Sequence, residues 1–400
     1  MKRHRRKALN LIATTTPGTS PPTPASGDST VALSTLVILG ASITGLAVAR
    51  DAHQHGLRPI VVDSEDGSGM HSRWVTPVRV GPASEAATLD RILSLGGAQV
   101  ALIATSDHWI RFVIEHRARL SSSYRSIVQP ENATLELCLD KMAFSEWCSG
   151  CGLPCPQAWI PGRGSRPATM DFPVLLRPVR TLHSSRELGL PKAVEARNES
   201  ELAHWLEQFA AKRVVPMVSQ SLLGRSLVQY SVPFARRGGQ MLLFTARKVR
   251  PSAELCQTGT FVEMCVDATI EELGRTAVER LDYFGIGEVE ILRDTQTGEN
   301  YLIEINARPW LQYALAPASN HDFLGLVLGL PAKATGSSVR SGKTWLSLHQ
   351  DLFVAFSRSI GMVRHGRLGV RAYLRSLARS NVFALFDWRD PAPFFWSLRH

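Results

Sequence analysis

The sequence predicts an α/β protein in which a parallel sheet, covered on both faces, is followed by antiparallel strands. Three observations carry this. Two short apolar runs, LVILG at 36–40 and RPIVVD at 58–63, flank a helical stretch at 46–55. Strands that are apolar throughout belong to sheets buried on both sides. Beyond about residue 172 apolar and polar residues alternate instead, and Arg237-Gly238-Gly239 and Thr297-Gly298 supply hairpin turns between the runs.

Taken in order, residues 1–33 carry PGTSPPTPASG and too little apolar surface to offset the entropy of ordering, so a disordered tail is expected there. A parallel-sheet domain then spans 34–130. Gly56 is placed to end its first helix, and a later strand at 100–104 leaves Thr105, Ser106 and Asp107 at the C-terminal edge, where ligands of open α/β sheets sit. The third region, 131–335, opens with a helix at 140–150 that GLPCP stops. A Pro-framed strand follows at 172–179, then a helix at 199–212 with Asn198 and Glu201 in capping-box spacing. Strands at 214–222, 226–235, 240–250 and 260–265 read as one antiparallel sheet, followed by a helix at 269–284 and a hairpin of 287–293 with 301–306. Residues 336–400, rich in Arg, Phe and Trp, read as a mostly helical basic extension.

Composition excludes several classes. With 400 residues, 44% hydrophobic and 20% charged, the chain is neither disordered throughout nor fibrous. No apolar run reaches the roughly 18 residues of a membrane span, and six cysteines do not make a secreted disulfide framework, so a cytoplasmic protein is expected. The net charge of +10 sits at the ends: Lys2, Arg3, Arg5, Arg6 and Lys7, then Arg358, Arg364, Arg367, Arg371, Arg375, Arg379, Arg389 and Arg399. No specific nucleic-acid partner follows; a peripheral anionic contact by these ends does, with Arg367, Arg371, Arg375 and Arg379 forming one stripe if helical. Trp388, Phe394, Phe395 and Trp396 are expected to pack on the body, because an exposed aromatic patch would be adhesive.

The sharpest chemistry lies in the last hairpin, GEVEIL and YLIEINARPW. Residues two apart on a strand share a face. Glu288 and Glu290 therefore point one way, as do Glu304 and Asn306, and neighbouring strands aim several carboxylates and an amide at one point. Such repulsion is relieved by a hard divalent cation, which favours carboxylate and amide oxygens.

At this hairpin the sequence resembles the ATP-grasp superfamily. EINARP is similar to its metal-binding strand, E-x-N-x-R. The likeness runs backward in order through LDKMAFSEWCSGCGLPCPQ (139–157), FPVLLRPV (172–179), VSQSLLG (218–224) and FTARKVRP (244–251). It covers about 35 to 330, and its general layout is similar to D-aspartate ligase and carbamoyl-phosphate synthetase among carboxylate–amine ligases. The resemblance implies a Rossmann-like first domain, a two-lobed grasp domain, and ATP with Mg²⁺, two ions with Mn²⁺ as a substitute. It implies Lys141 and Arg177 on the ATP phosphates, Lys248 on the γ-phosphate, and Gln220, Ser221 and Leu222 along the adenine. Glu290, Glu304 and Asn306 would hold metal, and Arg308 would steady the acyl phosphate or a substrate carboxylate. Arg247, by strand alternation, faces away. Two departures stand out: Arg177 replaces the more usual Lys, and Gln229 stands where an acid would hold the ribose, though its amide oxygen can still accept a hydrogen bond.

The expected activity is that of a carbon–nitrogen ligase: a carboxylate is activated as an acyl phosphate and joined to an amine. The substrates are small molecules, and a homo-oligomer is compatible with the sequence. Two alternatives stand beside it. One is a nucleotide-binding sensor or scaffold with the same fold. The other is a dinucleotide-binding oxidoreductase, because Gly40, Ser42 and Gly45 occupy the three fingerprint positions and Asp63 ends the second strand. Cys148, Cys151 and Cys155, with Cys138 upstream, could make a structural zinc site or plain core.

Overall fold

The computed structural model describes residues 32–81, 84–163, 166–167, 171–180, 189–222, 225–251, 259–331, 341–357, 362–364 and 368–399. The tail, most of the loops at 181–190 and 253–259, and Arg367 lie outside them.

The first sheet contains β1 (Thr35–Leu39), β2 (Arg58–Asp63), β3 (Thr76–Arg79), β4 (Gly97–Ala104) and β5 (Tyr124–Ile127), all parallel, in the order β3-β2-β1-β4-β5. Helices α1 (Ile43–Gln54), α2 (Glu85–Leu93) and α3 (Asp107–Ser123) connect it. The order reverses between β1 and β4, which opens a crevice at their C-terminal ends. Both apolar runs are buried as their composition demands, with Leu36 to Leu39 each 0% exposed.

Helices α4 (Asn132–Leu139) and α5 (Lys141–Gly150) lead into a small antiparallel sheet of β6 (Ala158–Trp159), β7 (Val174–Pro178), β8 (Val194–Ala196) and β9 (Pro216–Gln220), ordered β6-β9-β7-β8. Helix α6 (Glu199–Ala211) covers one face, placing Leu202 and Phe209 against Val174, Leu176 and Val218. Asn198 caps it as expected, its side chain accepting from Glu201 N at 2.9 Å. Alternation then turns Leu175 and Arg177 to the opposite face. One expectation fails here. The 214–222 strand belongs to this lobe rather than to the sheet that follows, because alternation identifies a strand but not its hydrogen-bonding neighbour.

The large sheet runs β15-β14-β10-β12-β13-β16-β17 with β11 added to β10. Its strands are β10 (Leu227–Arg237), β11 (Gln240–Leu243), β12 (Thr245–Pro251), β13 (Gly259–Cys265), β14 (Gly285–Asp294), β15 (Asn300–Asn306), β16 (Thr344–Leu346) and β17 (Val382–Phe383). Gly238 at φ +56° makes the β10–β11 turn. Helix α7 (Ala268–Arg280) lies close on this sheet at Gly274, where a Cβ would stand 2.8 Å from Val232. The parallel sheet and the large sheet share their cores: Val37 and Leu102 cluster with Val232 and Val289, and Leu36 with Trp310 and Trp345.

The remaining helices are α8 (Leu315–Ala318), α9 (Phe323–Leu328), α10 (Leu348–Phe356), α11 (Val370–Arg379) and α12 (Ala392–Ser397). The 336–400 region is therefore not a helical appendage. It adds β16 and β17 to the sheet edge, and two buried ion pairs lock it in. Asp390, 0% exposed, takes Arg50 Nε at 3.0 Å and the Arg73 amide at 2.9 Å. Asp351 takes Arg250 Nε at 2.7 Å and Nη2 at 2.9 Å, with Thr260 Oγ1 at 2.8 Å. Short strands of mixed composition give no clean alternation, which hid them. Arg371, Arg375 and Arg379 lie exposed along α11 as the spacing required. Trp396 stacks on His71 at 4.7 Å, but Trp388 is 87% exposed, contrary to the packing expected of it. Its ring meets Phe386 edge-on at 4.9 Å, and Phe395 is likewise exposed.

Removing one partner of a buried pair strands a charge. Asp351→Ala is expected to cost about 3–5 kcal/mol in urea unfolding, and Arg250→Met in the same chain should return most of it. A second expectation concerns His321, buried against Phe244 at 4.8 Å, whose pKa burial pushes down to about 4. The unfolded chain takes up this proton near 6.5 and the folded one resists it, so stability falls as pH drops through that interval. Urea titrations from pH 6.5 to 4 should show this loss diminished in His321→Gln.

Candidate active site

Strands β14 and β15 place Glu288 opposite Asn306 and Glu290 opposite Glu304, on one face. The register makes this convergence unavoidable, since residues directly opposed on paired strands have Cβ atoms about 5 Å apart. Glu288 and Glu290 are 3% and 9% exposed. Asn306 Nδ2 donates to Glu288 Oε2 at 3.0 Å and to Glu290 Oε1 at 3.2 Å. Lys248 on β12 meets Glu290 Oε1 at 2.9 Å, and Gln229 on β10 donates to Glu290 Oε2 at 2.7 Å. Arg247 turns away and pairs with Glu263, as alternation required.

The electrostatics follow from this crowding. Burial pushes Glu288 up to about 7, with Glu290 adding to it. Burial also raises Glu304, and the Glu290 charge raises it further. Burial opposes ionisation of Glu290 too, but the Lys248 ammonium outweighs it and holds this carboxyl below its usual range. Lys248 is likewise penalised by burial and rescued by Glu290 and Glu288, so its pKa lies above the ordinary value. Glu288 Oε1 is buried with no hydrogen-bond partner. An oxygen-only donor set, excess negative charge and a buried carboxylate oxygen left unbonded all fit a hard divalent cation. Its binding would need Asn306 to present Oδ1, an amide orientation that the hydrogen-bond network alone assigns.

The cluster opens into a cleft of about 360 Å³ lined also by Ser42, Thr44, Thr105, Asp107, Arg308 and Gln312. The crevice at the ends of β1 and β4 is thus one wall of the same site. Arg308 Nε donates to Asp107 Oδ1 at 2.6 Å. This contact holds Asp107 below its ordinary pKa against the effect of burial. The glycine turn is used for close packing: Gly40 has φ +117°, and a Cβ on Gly45 would stand 1.9 Å from Gly40 O. Asp63, the acid a dinucleotide's ribose would require, spends Oδ2 on Ala41 N at 2.7 Å and Oδ1 on Ser64 N at 2.8 Å. That leaves it bracing the turn.

The small lobe brings its cations to the same place. Lys141 opens α5, with its amide on Val179 O at 3.0 Å. Burial lowers its pKa, while the Glu304 charge attracts it and Arg177 repels it. Arg177 Nε is buried without a hydrogen-bond partner. Gln220, Ser221 and Leu222 end β9, and Ser221 Oγ donates to Glu195 Oε1 at 2.9 Å. Sequence reasoning missed Glu195. It lies on β8, across β7 from β9, and only the strand pairing through Leu175 brings it near Ser221. The same reasoning also assigned Gln229 to a ribose, whereas the amide is directed at Glu290.

Solved structures share this fold. The N5-carboxyaminoimidazole synthetase of Staphylococcus aureus, complexed with ADP, matches with TM-score 0.59 and 16% identity over 79% of this chain and 82% of its own. Carboxyaminoimidazole ribonucleotide synthase of Aspergillus clavatus, complexed with ATP, matches with TM-score 0.60 and 15% identity over 78% and 81%. The chain has the ATP-grasp fold. A pyruvate carboxylase of Rhizobium etli matches with TM-score 0.59 and 18% identity over 78% of this chain, which spans 30% of that longer one. No family model matches the sequence, and no curated protein matches it. Among the described residues no helix is long and apolar enough to cross a membrane.

The cysteines do not gather as a zinc site. Among the described residues no three of them bring their sulfurs within common ligand range. In the ATP-grasp cleft itself the surplus of carboxylates should cost stability when no cation is bound. Glu288→Gln is expected to stabilise the ligand-free protein by about 0.5–2 kcal/mol in urea unfolding, the gain typical when a functional strain is relaxed. A loss of similar size would show that the carboxylate is a net structural asset.

Proposed function

We propose that the protein is an ATP- and Mg²⁺-dependent ligase that activates a small-molecule carboxylate as an acyl phosphate and joins it to an amine. The observation that carries this reading is the opposition of Glu290 and Glu304 in a cleft that also receives Lys248 and is approached by Lys141 and Arg177. The geometry suits phosphoryl transfer, where catalysis is mostly positioning and charge stabilisation.

Lys141, Arg177 and Lys248 reach the site from both lobes and would clamp the ATP phosphates. The Nε of Arg177, buried without a hydrogen-bond partner, would donate to one of them. Gln220, Ser221 and Leu222 would receive the adenine, with Glu195 beside them for the sugar hydroxyls. Glu290, Glu304 and Asn306 would hold Mg²⁺, which supplies neutralisation of phosphate charge. Lys248 then exchanges its contact with Glu290 for a phosphate oxygen. The substrate carboxylate attacks the γ-phosphorus, and the bond to the bridging oxygen breaks to leave ADP. The amine next attacks the acyl carbon, phosphate departs with the carbon–oxygen bond, and the amine loses a proton. Arg308, held by Asp107, would orient the carboxylate and then the phosphate. The hydroxyls of Ser42, Thr44 and Thr105 would form the wall facing the acceptor.

The test is ADP release by the purified protein with Mg-ATP against pooled carboxylic acids and amines, beside Glu304→Ala. Turnover that needs both substrates and falls by at least about 100-fold in the variant is the expected result. Mg-ATP binding without stimulated ADP release across a broad pool would favour a nucleotide sensor. Absence of ATP binding would end the ligase reading.

A further inference from the structure

The cysteines of CSGCGLPC at 148–155 have no role in the proposed ligase chemistry, yet the fold gives two of them a specific arrangement. Helix α5 ends at Gly150, and the chain reverses through Gly152 at φ +63°. Leu153 N returns to Cys148 O at 2.8 Å, closing a tight turn. The turn lays Cys155 back over the helix face formed by Ser145, Cys148 and Ser149, which share a side by their i, i+3 and i+4 spacing. Cys155 Sγ lies 3.7 Å from Ser149 Oγ, 4.0 Å from Ser145 Oγ and 3.7 Å from Ser145 O. Cys148, wholly buried on that same helix face, is a hydrogen-bonding neighbour of the Cys155 sulfur. Cys155 itself is partly exposed.

We propose that Cys155 and Cys148 form a reversible dithiol–disulfide pair that is oxidised by peroxides. The Cys155 thiolate attacks one peroxide oxygen; the O–O bond breaks and leaves a sulfenic acid and an alcohol or water. Cys148 then attacks that sulfur; the S–S bond forms, the S–O bond breaks, and the thiol proton departs with the hydroxide as water. Two thiols and one peroxide thus give one disulfide, one alcohol or water from the peroxide, and one further water. The nucleophile is prepared for this. The hydrogen bond from Cys148 holds Cys155 down to about 6 against the effect of burial, whereas burial lifts Cys138 to about 12. Reactivity follows thiolate fraction and access, and both favour Cys155.

The crosslink would not be remote from the cleft. Pro154 O accepts from Leu302 N at 2.8 Å, on β15 two residues before Glu304. The other end of α5 carries Lys141. Oxidation therefore fixes the turn that joins the helix of one phosphate-facing lysine to the strand of one metal-facing glutamate.

The experiment uses the full, reduced chain with equimolar hydrogen peroxide at pH 7, followed by intact mass and non-reducing peptide mapping. The expected result is loss of two hydrogen masses, a 148–155 linked peptide, and reversal by dithiothreitol. Cys148→Ser should instead accumulate a dimedone-reactive sulfenic acid at Cys155, and Cys151→Ser should behave as the parent. Iodoacetamide labelling of the unmutated protein gives a second readout, with Cys155 reacting at least about 10-fold faster than Cys138 at pH 7. Equal labelling of the two, or a disulfide that maps elsewhere, overturns the proposal.

Discussion

Three carboxylates held within one strand pairing dominate this molecule. The register of β14 on β15 sets Glu288, Glu290 and Glu304 on a single face, and nothing within the hairpin can neutralise them. The rest of the architecture answers that charge. Lys248 arrives from β12, Gln229 from β10, Asn306 from the same strand as Glu304, and the small lobe sends Lys141 and Arg177 from the other side. A structure selected for stability alone would replace such a cluster with apolar residues, because buried ion networks at best break even. A bound divalent cation would relieve that cost.

The scaffold delivers these groups by topology. The parallel sheet reverses its strand order next to β1, so the loops after β1 and β4 open toward the hairpin. One continuous apolar cluster that includes Val37, Leu102, Val232 and Val289 keeps that relation fixed. The small sheet has its own core under α6, and Arg177 sits on the face that α6 leaves uncovered. The lobe that carries Arg177 is thus built separately from the sheet that carries the three carboxylates.

Much of this was legible in the residues. Uniform apolar runs identified β1 and β2, and alternation identified the β14–β15 hairpin with its convergent carboxylates. What alternation cannot encode is which strand lies beside which. The 214–222 segment was recognisable as a strand but not as a member of the small sheet. Glu195 was invisible for the same reason, since its nearness to Ser221 arises from pairing across a sheet. The strands β16 and β17 have 3 and 2 residues and no period to detect. Asp63 illustrates the opposite case: its position fits a dinucleotide fingerprint, but its two oxygens are consumed by the turn it follows.

The contact between Arg50 and Asp390 also ties together parts of the chain that lie far apart in sequence. Arg50 belongs to the first helix and is 9% exposed, yet its carboxylate partner is encoded 340 residues later. Either charge left buried here without its partner would be costly, so α1 and the segment around Asp390 are seated together. The cleft wall at Ser42 and Thr44, at the start of α1, is thereby coupled to a distant part of the sequence.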